Sequence, residues 1–172
     1  LDHFRGFAAC WEVAAGEPTA VKGEWVNGPG AALFSTLESA LGELPIIAED
    51  LGLITPDVEE LRDQFRFPGM HVLQFGFTDT ALNPHLPHNL LHNSVIYTGT
   101  HDNDTTVGWY ESREDKELEP LKGYLGPVTE EIHWAMIRMA YQSVADLAVV
   151  PLQDVLGLGA SARMNTPGKF GG

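Results

Sequence analysis

The stretch Pro45-Ile46-Ile47-Ala48-Glu49-Asp50-Leu51-Gly52 decides how the chain is interpreted, because a short apolar run ends there in two carboxylates and a glycine. A parallel strand covered on both faces reads as continuous apolar residues. The acids cannot lie in the covered part, since an unpaired buried charge is costly. We therefore predict a buried strand over residues 45–48 that delivers Glu49 to the edge of a sheet. At such an edge a (β/α) barrel builds its active site, so Glu49 is the first candidate catalytic residue.

Two further acids follow strand-like segments in the same way. Asp2 stands at the start of the chain, directly after what resembles a strand end, and Asp102 follows the apolar run 94–99. Taken alone, Asp2 has another interpretation, a surface ion pair with Arg5. Three strand ends that each offer an acid are harder to ascribe to chance than one, and we expect the three acids to share one edge.

Periodicity and turn residues predict the other elements. Residues 8–30 and 78–93 are predicted as loops, and residues 111–123 as a charged, solvent-facing segment. The predicted regular elements are helices 31–41, 55–65 and 129–144 (the last capped by Thr129) and strands 70–75, 94–99 and 147–150.

Alternating strands and helices predict an α/β fold with a parallel sheet. A doubly wound fold is possible, but no Gly-x-Gly-x-x-Gly or Walker A sequence supports nucleotide binding. The C-terminal part of a TIM (β/α)8 barrel, about five strands, fits the acidic strand ends better. Both ends look cut, and we expect residues 1–172 to be one partial catalytic barrel, truncated at both ends and inactive alone.

The composition of the chain limits the classes of molecule that it is expected to bind. Acids outnumber bases 24 to 10, a net charge of −14, which argues against nucleic acid and anionic membranes and is compatible with a neutral sugar. Cys10 is the single cysteine, so we expect a reducing compartment, the cytoplasm.

Two weaker sequence patterns, a pair of tryptophans and a group of histidines, have more than one interpretation. Trp11 and Trp25 in the 8–30 loop either stack on a sugar or pin the loop to the core. His85, His88 and His92 suggest zinc, but prolines interrupt them and no cysteine or carboxylate completes a set. No metal or other cofactor is therefore predicted.

Carboxylates that converge at a barrel edge suit retaining glycoside chemistry, which needs one nucleophile and one general acid/base. The chain resembles the 4-α-glucanotransferases (amylomaltases, glycoside hydrolase family 77 of the α-amylase clan) over nearly its whole length. The resemblance rests on Leu-Asp-His-Phe-Arg-Gly-Phe (1–7), Ile-Ile-Ala-Glu-Asp-Leu-Gly (46–52), Pro-Gly-Met (68–70) with Val-Leu-Gln-Phe (72–75), Asn-Pro-His-Leu-Pro-His-Asn (83–89), Tyr-Thr-Gly-Thr-His-Asp-Asn-Asp-Thr-Thr (97–106), Gln153-Asp154 and Arg-Met-Asn-Thr-Pro-Gly (163–168).

The resemblance implies Asp2 as nucleophile, Glu49 as general acid/base and Asp102 as transition-state stabiliser. It implies transfer of α-1,4-glucan segments (maltooligosaccharides, amylose) to a 4-hydroxyl, with glucose as an acceptor and no metal. The alternatives are an α-amylase-type hydrolase and a non-catalytic glucan-binding module. The sugar contacts that it implies are His3, Asp50, Phe75, Asp79, His101 and Asn165.

Overall fold

The computed structural model describes residues 1–78, 80–126 and 130–169, and the chain divides into two units, Leu1–Met70 and His71–Gly172. Asp79 and Thr129, both named by the sequence analysis, lie outside the described residues. In the parts that are described, no helix is long and apolar enough to cross a bilayer. The elements in chain order are α1 (Arg5–Ala8), β1 (Ala9–Glu12), β2 (Glu24–Asn27), α2 (Gly30–Leu41), α3 (Pro56–Gln64), β3 (Gly69–Val72), β4 (Ser94–Tyr97), α4 (Thr106–Glu111), α5 (Asp115–Leu125), α6 (Ile132–Tyr141), β5 (Leu147–Val149) and α7 (Leu152–Val155).

The first unit contains an antiparallel hairpin where the sequence predicted an irregular loop. Strands β1 and β2 pair from Ala9↔Asn27 to Glu12↔Glu24. Trp11 faces Trp25 across the hairpin, with ring centroids 5.5 Å apart. Cross-strand aromatic pairs stabilise hairpins, and this pairing between distant residues overrides the turn-rich local sequence. The two indoles therefore pack against each other.

The core of the first unit is rich in aromatic rings. Helices α2 and α3 begin and end close to their predicted bounds. The ring of Phe34 packs edge-on against Phe67, with centroids 5.2 Å apart. The buried members of this core are Phe4, Phe34, Ala48, Val58, Leu61, Phe65 and Phe67. Residue 48 thus enters the core, while Glu49 and Asp50 lie at its edge.

The predicted strand 45–48 is extended chain without a continuous ladder. The nitrogen of Leu1 donates to the Ile47 carbonyl at 2.7 Å, and the Ala48 N–H donates to the Pro68 carbonyl at 2.9 Å. The pairing on that side does not continue, because the Met70 N–H donates to the Asp50 side chain at 2.7 Å. The prediction of a regular strand is wrong here, although residue 48 is buried as expected.

The second unit contains a three-stranded sheet in the order β3-β4-β5. Strands β4 and β5 are parallel, in register from Val95↔Leu147 to Tyr97↔Val149, as the parallel sheet predicted from the sequence requires. The predicted strand 70–75 is shorter than expected, because residues 73–75 form a 3₁₀ turn. That turn places Gln74, a buried side chain, where its amide donates to the Asp104 carbonyl at 2.9 Å.

Residues 111–123 were predicted to face solvent, and this prediction is wrong for their second half. They enter α5, whose first turn carries a reciprocal cap between Glu114 and Glu117. Leu118 and Leu121, three residues apart, lie on one face of the helix and are buried. They join a core that also contains Leu73, Phe77, Leu86, Leu90, Ile96, Trp109, Met136, Met139 and Ala140.

Candidate active site

Glu49 is held in the first unit through both its backbone and its carboxylate. The Glu49 N–H donates to the Leu1 carbonyl at 3.0 Å, and the Glu49 carbonyl accepts from the Phe4 N–H at 2.9 Å. Its Oε2 accepts from the His3 N–H at 2.7 Å, and its Oε1 accepts from the Leu51 N–H at 3.0 Å. Each carboxylate oxygen keeps a further lone pair for a sugar or a proton. Main-chain donors therefore hold both oxygens of this acid.

Asp2 lies between two residues that contact Glu49. Its side chain is exposed, whereas its neighbours Leu1 and His3 both hydrogen-bond the Glu49 residue. His3 adopts φ 48°, a left-handed conformation that is uncommon outside glycine. This turn aims the His3 N–H at the Glu49 carboxylate. The structure thus brings together two predicted catalytic segments that are 46 residues apart in sequence.

Arg5 contacts groups other than Asp2. Its Nη1 donates to the Leu53 carbonyl, and its guanidinium lies 4.4 Å from the centroid of the Trp25 ring. The alternative interpretation of Asp2 as one half of a surface ion pair with Arg5 is therefore not the arrangement that this structure adopts.

Asp50 has both carboxylate oxygens bound inside the first unit. Oδ2 lies 2.6 Å from Arg62 Nη1, and Oδ1 accepts from the Met70 N–H at 2.7 Å. A Cβ added at Gly69 would lie 2.6 Å from Asp50 Oδ2, so a larger residue there would have to displace the Asp50 carboxylate. Burial lowers the pKa of Arg62, but its hydrogen bonds to Asp50 and Asp63 outweigh burial and raise that pKa overall. Asp50 therefore supports the backbone that follows Glu49.

Asp102 lies in the second unit, on the exposed turn of segment 98–106. Its Oδ1 accepts from the Asn165 side-chain amide and lies 3.5 Å from His101 Nε2. Its backbone carbonyl accepts from Arg163 Nη2 at 2.7 Å. Half of the Asp102 side chain is exposed (50%). Three of the predicted site residues thus meet, and no backbone N–H in this set holds the Asp102 carboxylate.

The two ends of segment 98–106 meet on a single buried carboxylate. Asp154, on α7, is 1% exposed. Its Oδ2 accepts from the hydroxyls of Thr98 at 2.5 Å and Thr106 at 2.8 Å, and its Oδ1 accepts from the Thr106 N–H at 2.7 Å. Both threonines are fully buried. The turn that carries Asp102 is therefore closed at its base.

Phe75 is the remaining predicted residue that the structure describes. Its ring is 43% exposed and packs edge-on against His85, with centroids 5.6 Å apart. It lines an open cavity of about 610 Å³ together with Trp109 and Arg113. An aromatic ring and a guanidinium in one open cavity are groups that suit a sugar ring with its hydroxyls.

Two of the three histidines considered for zinc have other side-chain contacts. His85 Nδ1 accepts from the Val72 N–H at 3.2 Å, and His88 Nδ1 lies 3.2 Å from the Tyr124 hydroxyl. Within residues 1–78, 80–126 and 130–169, no three His, Cys, Asp or Glu side chains are grouped as metal ligands would be.

Sequence reasoning gave no structural role to three residues: Arg62, which binds Asp50, and Asp154 and Arg163, which hold the segment that carries Asp102. Only Asp154 had a usable signal, because it closely follows the strand 147–150, as the other acids follow their strand-like segments. The partners of Arg62 and Arg163 lie 12 and 61 residues away, and no spacing rule links them.

The structure of this chain matches part of a solved amylomaltase. Over 99% of this chain, the structure superimposes with a TM-score of 0.93 and 39% identity on 35% of an amylomaltase from Streptococcus agalactiae, solved in complex with acarbose. The chain therefore has the mixed α/β fold of that part of an amylomaltase.

Sequence comparison identifies the family to which the chain belongs. The family model described as 4-alpha-glucanotransferase, glycoside hydrolase family 77, matches residues 1–172, and the chain belongs to that family. It is 56% identical to a 4-alpha-glucanotransferase from Synechocystis and 53% identical to one from Thermus thermophilus, both over 100% of its length. It spans about a third of those relatives, 35% and 36% respectively.

Proposed function

We propose that the full gene product containing this chain is a 4-α-glucanotransferase, which moves α-1,4-glucan segments to the 4-hydroxyl of another sugar. The observation that carries the proposal is the 2.7 Å hydrogen bond from the His3 N–H to Glu49 Oε2, because it joins the nucleophile segment to the acid/base. Family membership over residues 1–172 supports the same activity.

In the first step, Asp2 attacks the anomeric carbon of a bound donor glucan. Glu49 gives its proton to the glycosidic oxygen, which leaves as the 4-hydroxyl of the departing segment. The product is a β-glucosyl ester on Asp2. Asp102 stabilises the positive charge that develops on the ring in the transition state.

In the second step, the ionised Glu49 takes the proton from the 4-hydroxyl of an acceptor, and that oxygen displaces Asp2 from the anomeric carbon. Two inversions restore the α configuration, and every proton is returned. No metal or other cofactor takes part in either step.

The remaining assignments belong to the same proposal. His3, Phe75, Asp79, His101 and Asn165 contact sugar hydroxyls or ring faces, and for Asp50 the bonds to Arg62 and Met70 favour a supporting role. Donors are maltooligosaccharides and amylose, and glucose is an acceptor.

The setting of the site is proposed on similar grounds. The chain forms the C-terminal part of a (β/α)8 barrel, which the parallel pairing of β4 and β5 supports. The exposed, single Cys10 fits a reducing, cytoplasmic location, and the net charge of −14 fits a protein that avoids nucleic acid and anionic membranes.

The test is incubation of the full gene product with maltotriose, followed by chromatography and a reducing-end assay. We expect glucose and longer maltodextrins at a constant number of reducing ends. New reducing ends without longer products would identify an α-amylase-type hydrolase. Binding without any product would identify a glucan-binding module and contradict the proposal.

A further inference from the structure

Segment 98–106 has a rigid base and an exposed tip. At the tip, the side chain of His101 is 71% exposed and that of Asp102 is 50% exposed. At the base, Thr98 and Thr106 have no exposed surface. The position of the Asp102 carboxylate therefore depends on how firmly the two ends of the segment are held.

One residue holds both ends. Asp154 accepts hydrogen bonds from the Thr98 hydroxyl, the Thr106 hydroxyl and the Thr106 N–H, across 56 and 48 residues of sequence. A buried carboxylate is costly unless its oxygens are satisfied by donors. Here the donors are two hydroxyls and a main-chain N–H, and they satisfy it only while residues 98 and 106 stay together.

Other contacts hold the tip. Arg163 donates both to the Asp102 carbonyl and, at 2.7 Å, to the Asn165 carbonyl. Asn165 in turn donates its side-chain amide to Asp102 Oδ1. With the base closed by Asp154, these bonds fix one orientation of the Asp102 carboxylate.

We infer that Asp154 is a positioning residue, which aligns Asp102 with the transition state by closing the segment that carries it. This inference rests on the proposed function, because it takes Asp102 as the stabilising acid. Asp154 itself contacts no substrate, since it is 1% exposed.

The first experiment compares three variants of the full gene product in maltotriose disproportionation: Asp154→Asn, Thr98→Val and Thr98→Ser. A displacement on the order of 1 Å can cost about 100-fold, so we expect kcat to fall about 10- to 100-fold in Asp154→Asn and about 10-fold in Thr98→Val. KM should change little, because ground-state sugar contacts remain. Thr98→Ser keeps the hydroxyl and is the matched control, with near-normal kcat. Unchanged kcat in both Asp154→Asn and Thr98→Val would overturn the inference.

A double-variant cycle separates positioning from general damage. If Asp154 acts through Asp102, adding Asp154→Asn to Asp102→Asn should lower kcat by no more than about twofold further. Losses that multiply in the double variant would show that Asp154 acts elsewhere, and would overturn the inference. If Asp154→Asn fails to fold, Thr98→Val replaces it in the cycle.

Hydrogen exchange of backbone amides 99–105 gives a readout that does not depend on activity. We expect exchange to rise in Thr98→Val and to stay at the wild-type level in Thr98→Ser. If the wild-type protein does not lengthen maltotriose into longer maltodextrins, the proposed function is contradicted, while the role of Asp154 in holding the segment is not. Equal exchange in the two variants would contradict the role of Asp154 alone.

Discussion

The two units of the chain hold their candidate acids in different ways. Glu49, in the first unit, is bound by main-chain groups on both carboxylate oxygens. Asp102, in the second unit, lies on an exposed turn whose base is closed by the buried Asp154. An acid held by main-chain N–H groups depends on the path of the chain, whichever side chains those residues carry. An acid held by side chains depends on the identity of those side chains, here Arg163 and Asn165.

The largest expected effects come from the acids themselves. We expect Glu49→Gln to lower kcat/KM for maltotriose by about 10³-fold or more, since in the proposed mechanism Glu49 moves the proton in both steps. We expect Asp102→Asn to cost about 10²- to 10³-fold, the range for losing one electrostatic stabiliser.

The exposed Glu43→Gln is the control, in the same assay, and should leave kcat/KM unchanged. A Glu49→Gln protein with normal transfer activity would show that Glu49 has only a structural role. The two acids could then not be compared as catalytic groups.

The next effect is on stability around Glu49. Replacing Arg62 by Met leaves the Asp50 carboxylate, 6% exposed, without its cation. We expect the free energy of local opening of residues 46–70 to fall by about 2–3 kcal/mol, below the usual cost for a fully buried pair because Arg62 is partly exposed. Hydrogen exchange of peptides from this region in the full gene product measures it.

Asp63→Asn is the matched control, because Asp63 contacts the same guanidinium from an exposed position, 64% accessible. Its effect should lie within about 1 kcal/mol. A loss as large as that of Arg62→Met would mean that the Asp50 pair has no special part in holding this region.

A smaller effect on stability is expected where the backbone at Gly69 passes close to the Asp50 carboxylate. In Gly69→Ala, the new Cβ would lie 2.6 Å from Asp50 Oδ2. We expect local opening of residues 46–70 to become easier by about 1–2 kcal/mol, the cost of overpacking.

Gly123→Ala on α5 is the control for adding a methyl group, since nothing outside the adjacent helix backbone lies within 4 Å of the new Cβ. It should stabilise its helix by about 0.5–1 kcal/mol, measured by exchange of residues 115–125. Equal responses in both regions would contradict a special constraint at Gly69.

The smallest effect is a pH dependence of the second unit. Burial raises the pKa of Tyr97, the last residue of β4, above its usual value near 10. The folded chain therefore keeps this proton at a pH where the unfolded chain loses it. The contribution of Tyr97 to the free energy of unfolding is fully present below about pH 10, and it is lost as the pH rises through the pKa of the folded state.

Amide exchange of residues 94–106 between pH 9 and about 11 tests this, after correction for intrinsic exchange rates. Tyr97→Phe should remove part of the alkaline increase in local opening. An identical pH dependence in wild type and Tyr97→Phe would rule out Tyr97 as its source.

The sequence predicted those features whose signals are local. Helices α2 and α3 were found because an apolar period, Thr55-Pro56 and Gly42 mark them within a few residues. Glu49 was chosen as a candidate because an apolar run stops abruptly at it, and its catalytic role stays a prediction.

Features set by distant partners were missed. The β1–β2 hairpin depends on pairing between Trp11 and Trp25, which lie in a turn-rich segment. The contacts of Asp154 with Thr98 and Thr106 join residues at least 48 positions apart, and no periodicity reports them.

The most direct measurement of the central claim is to trap the sugar on its nucleophile. The full gene product with Glu49→Gln is incubated with an α-maltooligosyl fluoride, whose leaving group needs no proton, and its peptides are analysed by mass spectrometry. Because the base for the second step is absent, we expect a maltooligosyl ester on the peptide that contains Asp2. An adduct on a different residue, or turnover with inversion and no adduct, would contradict it.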